Sequence, residues 1–274
     1  QLPNLMMVAA RGFGKTVLAE KVAKALNKPY LYINGATCQK ITDFIDNILI
    51  PHVVDKTISI CLDEVHKINP KVEALLLSIL NPTKEGINQV NLMGTDVTFN
   101  NRMQTWIAAS TNIEKISLPF LDRFRQLHFA DYKPSELEKI IRLNTSKVRF
   151  NREALKELSC CTRGNPRQCT LFGRDITGYL AVKKDNYFGF DDWKQFKDKM
   201  KIFPLGLNES ERKYLSYLAE LNSATLTHMS AILDMDAQMT RRGIEMFLLK
   251  HGLIRIEGKR IITYKGRQIL EQCK

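Results

Sequence analysis

The feature that most narrows the fold is a short apolar run, Leu5–Ala9, that leads into Ala10-Arg11-Gly12-Phe13-Gly14-Lys15-Thr16 and then into an amphipathic stretch, Val17–Leu26. A buried strand, a glycine-bearing turn and a helix start, in that order, are the context of a phosphate loop of the G-x-x-x-x-G-K-[ST] type. Gly12 and Gly14 let the backbone turn its amide N–H groups inward, and the helix N-terminus adds partial positive charge. Lys15 is then the cation for the terminal phosphates, and the Thr16 hydroxyl is a ligand for Mg²⁺. Arg11, Gly12, Phe13, Gly14, Thr16 and Val17 complete the expected nucleotide-binding set around Lys15. The first glycine of the pattern is replaced by Ala9; a left-handed backbone there would strain it by roughly 1 kcal/mol.

A second motif reinforces the first. Ile58-Ser59-Ile60-Cys61-Leu62-Asp63-Glu64 reads as a buried strand ending in two carboxylates. A strand tip beside a phosphate loop is where a second Mg²⁺ ligand stands, which assigns Asp63. Glu64, one residue on, is placed to polarise the attacking water. ATP and Mg²⁺ are therefore the expected cofactors.

Five apolar runs fit buried parallel strands: Leu5–Ala9, Tyr30–Ile33, Ile58–Leu62, Thr105–Ala109 and Gln126–Phe129. Helical patterns lie between them, with Leu18, Val22, Ala25 and Leu26 on one and Leu75, Leu76 and Ile79 on another. Strands alternating with helices predict an α/β fold with a parallel sheet, over residues 1–131. Val90, Leu92, Val97 and Phe99 alternate around Met93-Gly94-Thr95 and predict a β-hairpin. After Ala130 the strand pattern stops. Ser135 reads as an N-cap with Glu138 closing a capping box, and a small helical lid domain is expected over 132–202, broken at Gly164-Asn165-Pro166. Its last stretch, with Tyr187, Phe188, Phe190, Trp193 and Phe196, is expected to pack on a neighbour. Residues 203–274 read as helix, helix, a third helix at Met235–Lys250, and a hairpin around Gly258, which is the order of a winged helix.

Taken together these residues resemble the AAA+ ATPases, and more narrowly the RuvB family of Holliday-junction branch-migration motors, over nearly the whole chain. Leu62-Asp63-Glu64-Val65-His66-Lys67-Ile68-Asn69-Pro70 resembles the acidic motif, and Ile107-Ala108-Ala109-Ser110-Thr111-Asn112 the sensor-1 strand. Leu118-Pro119-Phe120-Leu121-Asp122-Arg123-Phe124 is similar to the rim segment, although Leu121 replaces a basic residue common there. Arg163-Gly164-Asn165-Pro166-Arg167 is similar to the sensor-2 motif, and Leu207–Tyr214 with His251-Gly252-Leu253-Ile254 to the winged helix. The resemblance implies that Thr111 holds the water or γ-phosphate. It implies that Arg123 is an arginine finger serving a neighbour's site, with Arg125 as the fallback, and that Arg167 touches the γ-phosphate. It also implies a hexameric ring, duplex or four-way-junction DNA as substrate, and a RuvA-like junction-binding partner for the hairpin. The family carries an N-terminal segment that covers adenine; Gln1 stands so close to the loop that this segment is expected to lie outside the present sequence.

Charge agrees with a polyanionic partner: 41 Lys and Arg against 29 Asp and Glu give a net charge of +12. The C-terminal block is only modestly basic, so placement matters there more than sum. Arg241 and Arg242 on the third helix, and Arg255, Lys259 and Arg260 on the hairpin, form the expected DNA-binding set. The six cysteines form no C-x-x-C pair and fit a reducing compartment, cytoplasm or nucleoid. No apolar run spans a bilayer. An ATP-dependent DNA translocase is the leading expectation. A loader- or initiator-type ATP switch that assembles a replication partner is the alternative, and a degenerate ATPase scaffold is a third reading that Lys15, Asp63 and Glu64 disfavour.

Overall fold

The computed structural model describes residues 2–92 and 94–273. The chain divides into two compact units, one ending at Asp131 and one beginning at Tyr132.

The first unit is built on a five-stranded sheet of β1 (Leu5–Val8), β2 (Tyr30–Asn34), β3 (Ile58–Asp63), β6 (Gln104–Ser110) and β7 (Arg125–His128), in the order β2-β3-β6-β1-β7. All of its pairings are parallel. Burial follows position: every residue of the central strand β6 is buried, whereas the edge strand β7 is largely exposed. Successive side chains face opposite sides, so Met6 joins the larger core with Ile60, Leu62 and Trp106, and its neighbours Leu5 and Met7 join a smaller one with Cys61 and Ile107. Each such fully buried side chain contributes about 1.5–3 kcal/mol. Helix α1 (Lys15–Ala25) lies over the smaller core through Ala19 and the half-buried Val22. Helix α2 (Pro70–Ile79) covers the larger one through Val72, Leu75, Leu76 and Ile79.

The predicted hairpin is present as β4 (Ile87–Leu92) and β5 (Thr95–Asn100), antiparallel with Leu92 opposite Thr95. Met93, part of its predicted turn, lies outside the described residues. Asn88 ties the hairpin to the end of α2, its side-chain amide donating to the carbonyls of Ile79 and Asn81 at 2.9 and 2.8 Å.

The second unit opens with α3 (Pro134–Asn144), α4 (Arg152–Cys161) and α5 (Pro166–Lys183). The start of α3 differs from the expected one. Lys133, not Ser135, is the N-cap, and Glu136 closes the turn by accepting from the Lys133 amide at 2.8 Å. Pro134 decides this, because its fixed φ and missing N–H suit the first helical position. A short parallel pair, β8 (Arg149–Phe150) with β9 (Tyr187–Phe188), was not legible in the sequence. The aromatic stretch forms α6 (Phe190–Lys199), and Phe188, Trp193 and Phe196 fill the core shared with α3, α4 and α5.

A further core gathers α7 (Glu209–Leu221), α8 (Leu226–Ile232) and the helix α9. Helix α9 runs Ala237–Thr240, widens by one residue per turn over Arg241–Glu245, and closes as Met246–Lys250. It starts later than the expected Met235 because Asp236 caps it, accepting from the Met239 amide at 2.7 Å. Strand β10 (Ser223–Ala224) pairs with β12 (Lys259–Ile262), which pairs with β11 (Ile254–Glu257) about a tight turn at Gly258, φ 67°. Helix α10 (Tyr264–Glu271) follows. Among the described residues no helix is long and apolar enough to cross a membrane.

Candidate nucleotide-binding and hydrolysis site

The C-terminal ends of β1, β6 and β3 are neighbours in the sheet, and ligands of open parallel sheets bind at that edge. The loop between β1 and α1 begins with the Ala9 amide donating to the Ser110 carbonyl at 3.4 Å. Positive φ falls at Gly12 (88°) and Gly14 (85°) and not at Ala9, so the strain expected of alanine does not arise. Gly14 caps α1 without a side-chain hydrogen bond, and no acidic residue stands in the first turn. The turn's amides therefore face a site suited to an anion. Lys15 is 6% exposed and donates to the carbonyls of Ala9 (2.8 Å) and Ala10 (3.1 Å). Phe13 is buried, and Arg11 and Val17 are exposed on either side of the loop.

Asp63 ends β3 opposite the loop. Its Oδ2 accepts from the Thr16 hydroxyl and from the Tyr32 hydroxyl, both at 3.1 Å, while Oδ1 accepts from the Glu64 amide at 2.9 Å. Thr16 and Asp63 together present hard oxygen donors, the type that suits Mg²⁺. Burial, then the charge of Asp63, hold the Tyr32 hydroxyl above the usual tyrosine range.

Glu64 has a left-handed backbone, φ 52°. Its carboxylate lies 3.2 Å from Lys67 Nζ and 3.5 Å from His66 Nε2. His66 Nδ1 is 3.0 Å from the Ser110 hydroxyl, which also accepts from the Asn112 amide at 3.0 Å. Burial lowers the His66 pKa, which favours a neutral ring. A neutral ring carrying its proton on Nε2 accepts from Ser110 on one side and faces Glu64 on the other. This chain joins Glu64 to the end of β6, where Thr111 follows. Gly35 makes room for it: a Cβ there would stand 2.6 Å from the Glu64 carbonyl.

A model of the ATPase family associated with various cellular activities matches residues 5–132, and a model of the RuvB C-terminal winged helix domain matches residues 204–271. The chain is 28% identical over 279 residues to Holliday junction branch migration complex subunit RuvB of Mycoplasmopsis pulmonis, covering 99% of this chain and 88% of that protein. It is 29% identical over 282 residues to the same subunit of Mycoplasma genitalium, covering 98% and 87%. The chain thus joins an AAA ATPase domain to a RuvB-type winged-helix domain. The Thermotoga maritima RuvB Holliday junction branch migration motor has the same fold, with a TM-score of 0.77 at 24% identity over 98% of this chain and 87% of that one.

In this RuvB-like chain Arg123 follows a helical turn, Leu118–Leu121, anchored by the buried rings of Phe120 and Phe124, whose centroids are 5.0 Å apart. The Arg123 Nε is buried without a hydrogen-bond partner among the described residues. Arg125 is exposed at the start of β7. Arg167 belongs to the second unit, exposed in the first turn of α5, where its amide donates to Asn165 Oδ1 at 2.9 Å.

At the other end of the RuvB-like chain, Arg241, Arg242, Arg255 and Lys259 are exposed. Arg255 lies 3.4 Å from Glu257 on the surface. Arg260 departs from the expected DNA-facing set. Its guanidinium turns inward to Glu245, with Nε donating at 2.8 Å and Nη2 at 3.3 Å, and Glu245 also accepts from the Tyr214 hydroxyl at 2.7 Å. Glu245 is fully buried, so its charge needs that partner.

Sequence reasoning did not single out Tyr32, Gly35 or the link through His66 and Ser110. His66 and Ser110 already stood inside quoted motifs. What tied them together was strand order, since β6 neighbours β3 despite the distance between them in sequence.

Proposed function

We propose that this chain is an ATP-driven DNA motor that moves four-way junctions or duplex DNA, working as a ring of six copies with a RuvA-like junction-binding partner at the β4–β5 hairpin. The observation that carries the proposal is that one chain holds both the Lys15–Thr16–Asp63–Glu64 cluster and a winged helix with exposed Arg241, Arg242, Arg255 and Lys259. It is supported by the names of the relatives it matches almost end to end.

In the proposed mechanism Lys15 and the amides of Gly12 to Thr16 bind the β- and γ-phosphates. Thr16 and Asp63 hold Mg²⁺, which when bound offsets phosphate charge. Glu64, oriented by His66, takes a proton from the attacking water, and Thr111 fixes that water against the γ-phosphate. Arg123 acts on the site of a neighbouring copy, and Arg167 is the phosphate sensor of the lid. Nucleotide-dependent movement of the lid drives the winged helix along DNA, in a cytoplasmic, nucleoid-associated setting.

A loader- or initiator-type switch gains one specific argument, since Arg260 is engaged internally and the wing keeps fewer outward cations. The two readings separate in one experiment. ATP hydrolysis with and without four-way-junction DNA is measured beside displacement of a labelled arm. The motor reading expects DNA-stimulated hydrolysis, ATP-dependent displacement, and loss of both in Lys15→Ala. Hydrolysis without processive displacement supports the switch instead.

A further inference from the structure

Arg163 is the first residue of the Arg163-Gly164-Asn165-Pro166-Arg167 segment, and it has a left-handed backbone, φ 56°. That conformation favours glycine, and an arginine held in it invites the question of what its side chain does. The guanidinium reaches three separate pieces of the winged helix. Nε and Nη2 donate to the Gly206 carbonyl at 2.8 and 2.6 Å. Nη1 donates to Glu211 Oε1 at 3.0 Å, and Nη2 donates to Glu211 Oε2. The Cζ atom stands 4.2 Å from the centre of the Phe247 ring on α9.

The receiving side is built for this contact. Glu211 is fully buried in the first turn of α7, and its Oε2 also accepts from the Asn208 amide at 2.9 Å. Gly206 approaches the end of α4 so closely that a Cβ would lie 2.2 Å from the Cys161 carbonyl, and its φ is 73°. One side chain just after α4 thus grips the loop before α7, the start of α7 and the Phe247 ring of α9. A fork with five donors suits such a junction, and lysine would not reproduce it.

We infer that Arg163 is a positioning residue that welds the winged helix to the sensor end of the lid, so that movement reaching Arg167 is delivered to α9 with no hinge between them. The inference goes beyond the motor reading but draws its consequence from it. A buried bidentate pair has one tight geometry, and breaking it strands the Glu211 carboxylate. The weld predicts that lid and winged helix move as one piece in every nucleotide state.

The test has two arms, so that failure of the weld and failure of the motor reading are told apart. Spin labels at Val182→Cys and Tyr264→Cys, both highly exposed positions, are placed on a Cys160→Ser, Cys273→Ser background of the full chain. Pulsed electron paramagnetic resonance then reads the label-to-label distance without nucleotide, with ADP and with a non-hydrolysable ATP analogue. The expected result is one narrow distance in all three states, broadened at least about twofold by Arg163→Met. Glu211→Gln, a gentler change that keeps the shape of the buried partner, is expected to broaden it in the same direction, and it carries the test if Arg163→Met does not fold. In the second arm, the ATP hydrolysed per junction displaced rises ~tenfold in either variant, while kcat and KM for DNA-free hydrolysis stay within about twofold. Several distances in the parent, or an unchanged width in folded variants of both kinds, overturns the weld whatever the DNA assay gives. A narrow distance that broadens as expected, in a parent that displaces no DNA, upholds the weld and counts against the motor.

Discussion

The phosphate-loop end and the wing end of this chain both carry arginines and lysines, but they manage them in opposite ways. At the loop, Lys15 is held by two backbone carbonyls, Thr16 and Asp63 hold each other, and the Glu64 carboxylate is held by Lys67. At the wing, Arg241, Arg242 and Lys259 stand in solvent, whereas Arg260 faces inward. The difference matches what each end would recognise under the proposed function. A triphosphate and a water must be met with fixed geometry, because catalysis depends on groups already in place. A phosphate backbone is met by charge at a distance and tolerates adaptable side chains.

The largest effect that sharpens this contrast is expected from Glu64→Gln. Removal of the base lowers single-turnover hydrolysis ~10²–10⁴-fold. Nucleotide affinity, measured by fluorescence titration, stays close to that of the parent; equal losses in binding and turnover would break the assignment of Glu64 as a base. Next in size is the split between two neighbours on the hairpin. Arg260→Ala leaves buried Glu245 without its partner and is expected to destabilise the chain by roughly 3–5 kcal/mol in denaturant unfolding. Lys259→Ala is expected to leave stability within about 0.5 kcal/mol. Instead it reduces the slope of log affinity for DNA against log salt by about 0.9. If Arg260→Ala changes the salt slope and not the stability, the inward reading of Arg260 is wrong.

The smallest effect concerns acid. Burial holds the His66 pKa below its ordinary value of 6.5. As pH falls through that value the unfolded chain takes up a proton at this ring while the folded chain does not, so stability declines on the acid side and levels off below the folded pKa. His66→Gln should flatten the pH dependence of unfolding in this window. His251 is lowered in the same direction by burial and remains in the variant, so the slope is reduced and not abolished.

Much of the first unit was legible because its central strands β1, β3 and β6 are buried on both faces and read as unbroken apolar runs. The loop was legible because Gly12, Gly14, Lys15 and Thr16 have few other uses in that order. Pairings made across the fold were not legible. The inward turn of Arg260 depends on Glu245, a carboxylate on an otherwise apolar face of α9, and no local pattern marks an acid as buried. The bridge from Glu64 to Ser110 depends on β6 lying beside β3. The start of α3 was misplaced because Pro134 outweighed a plausible Ser135 cap. Ala9 shows the converse, since a rule about the first glycine of the loop did not apply once the positive φ angles fell at Gly12 and Gly14.

The contacts between Lys15 and the carbonyls of Ala9 and Ala10 have a consequence for turnover. The loop's own backbone engages the ammonium group, so a phosphate that reaches it exchanges partners and does not meet a bare charge. The affinity measured for nucleotide is then a difference between two sets of contacts, smaller than either. Under the proposed function, such a site would release its product without stranding the lysine, which suits a machine that empties and refills the same pocket at every step.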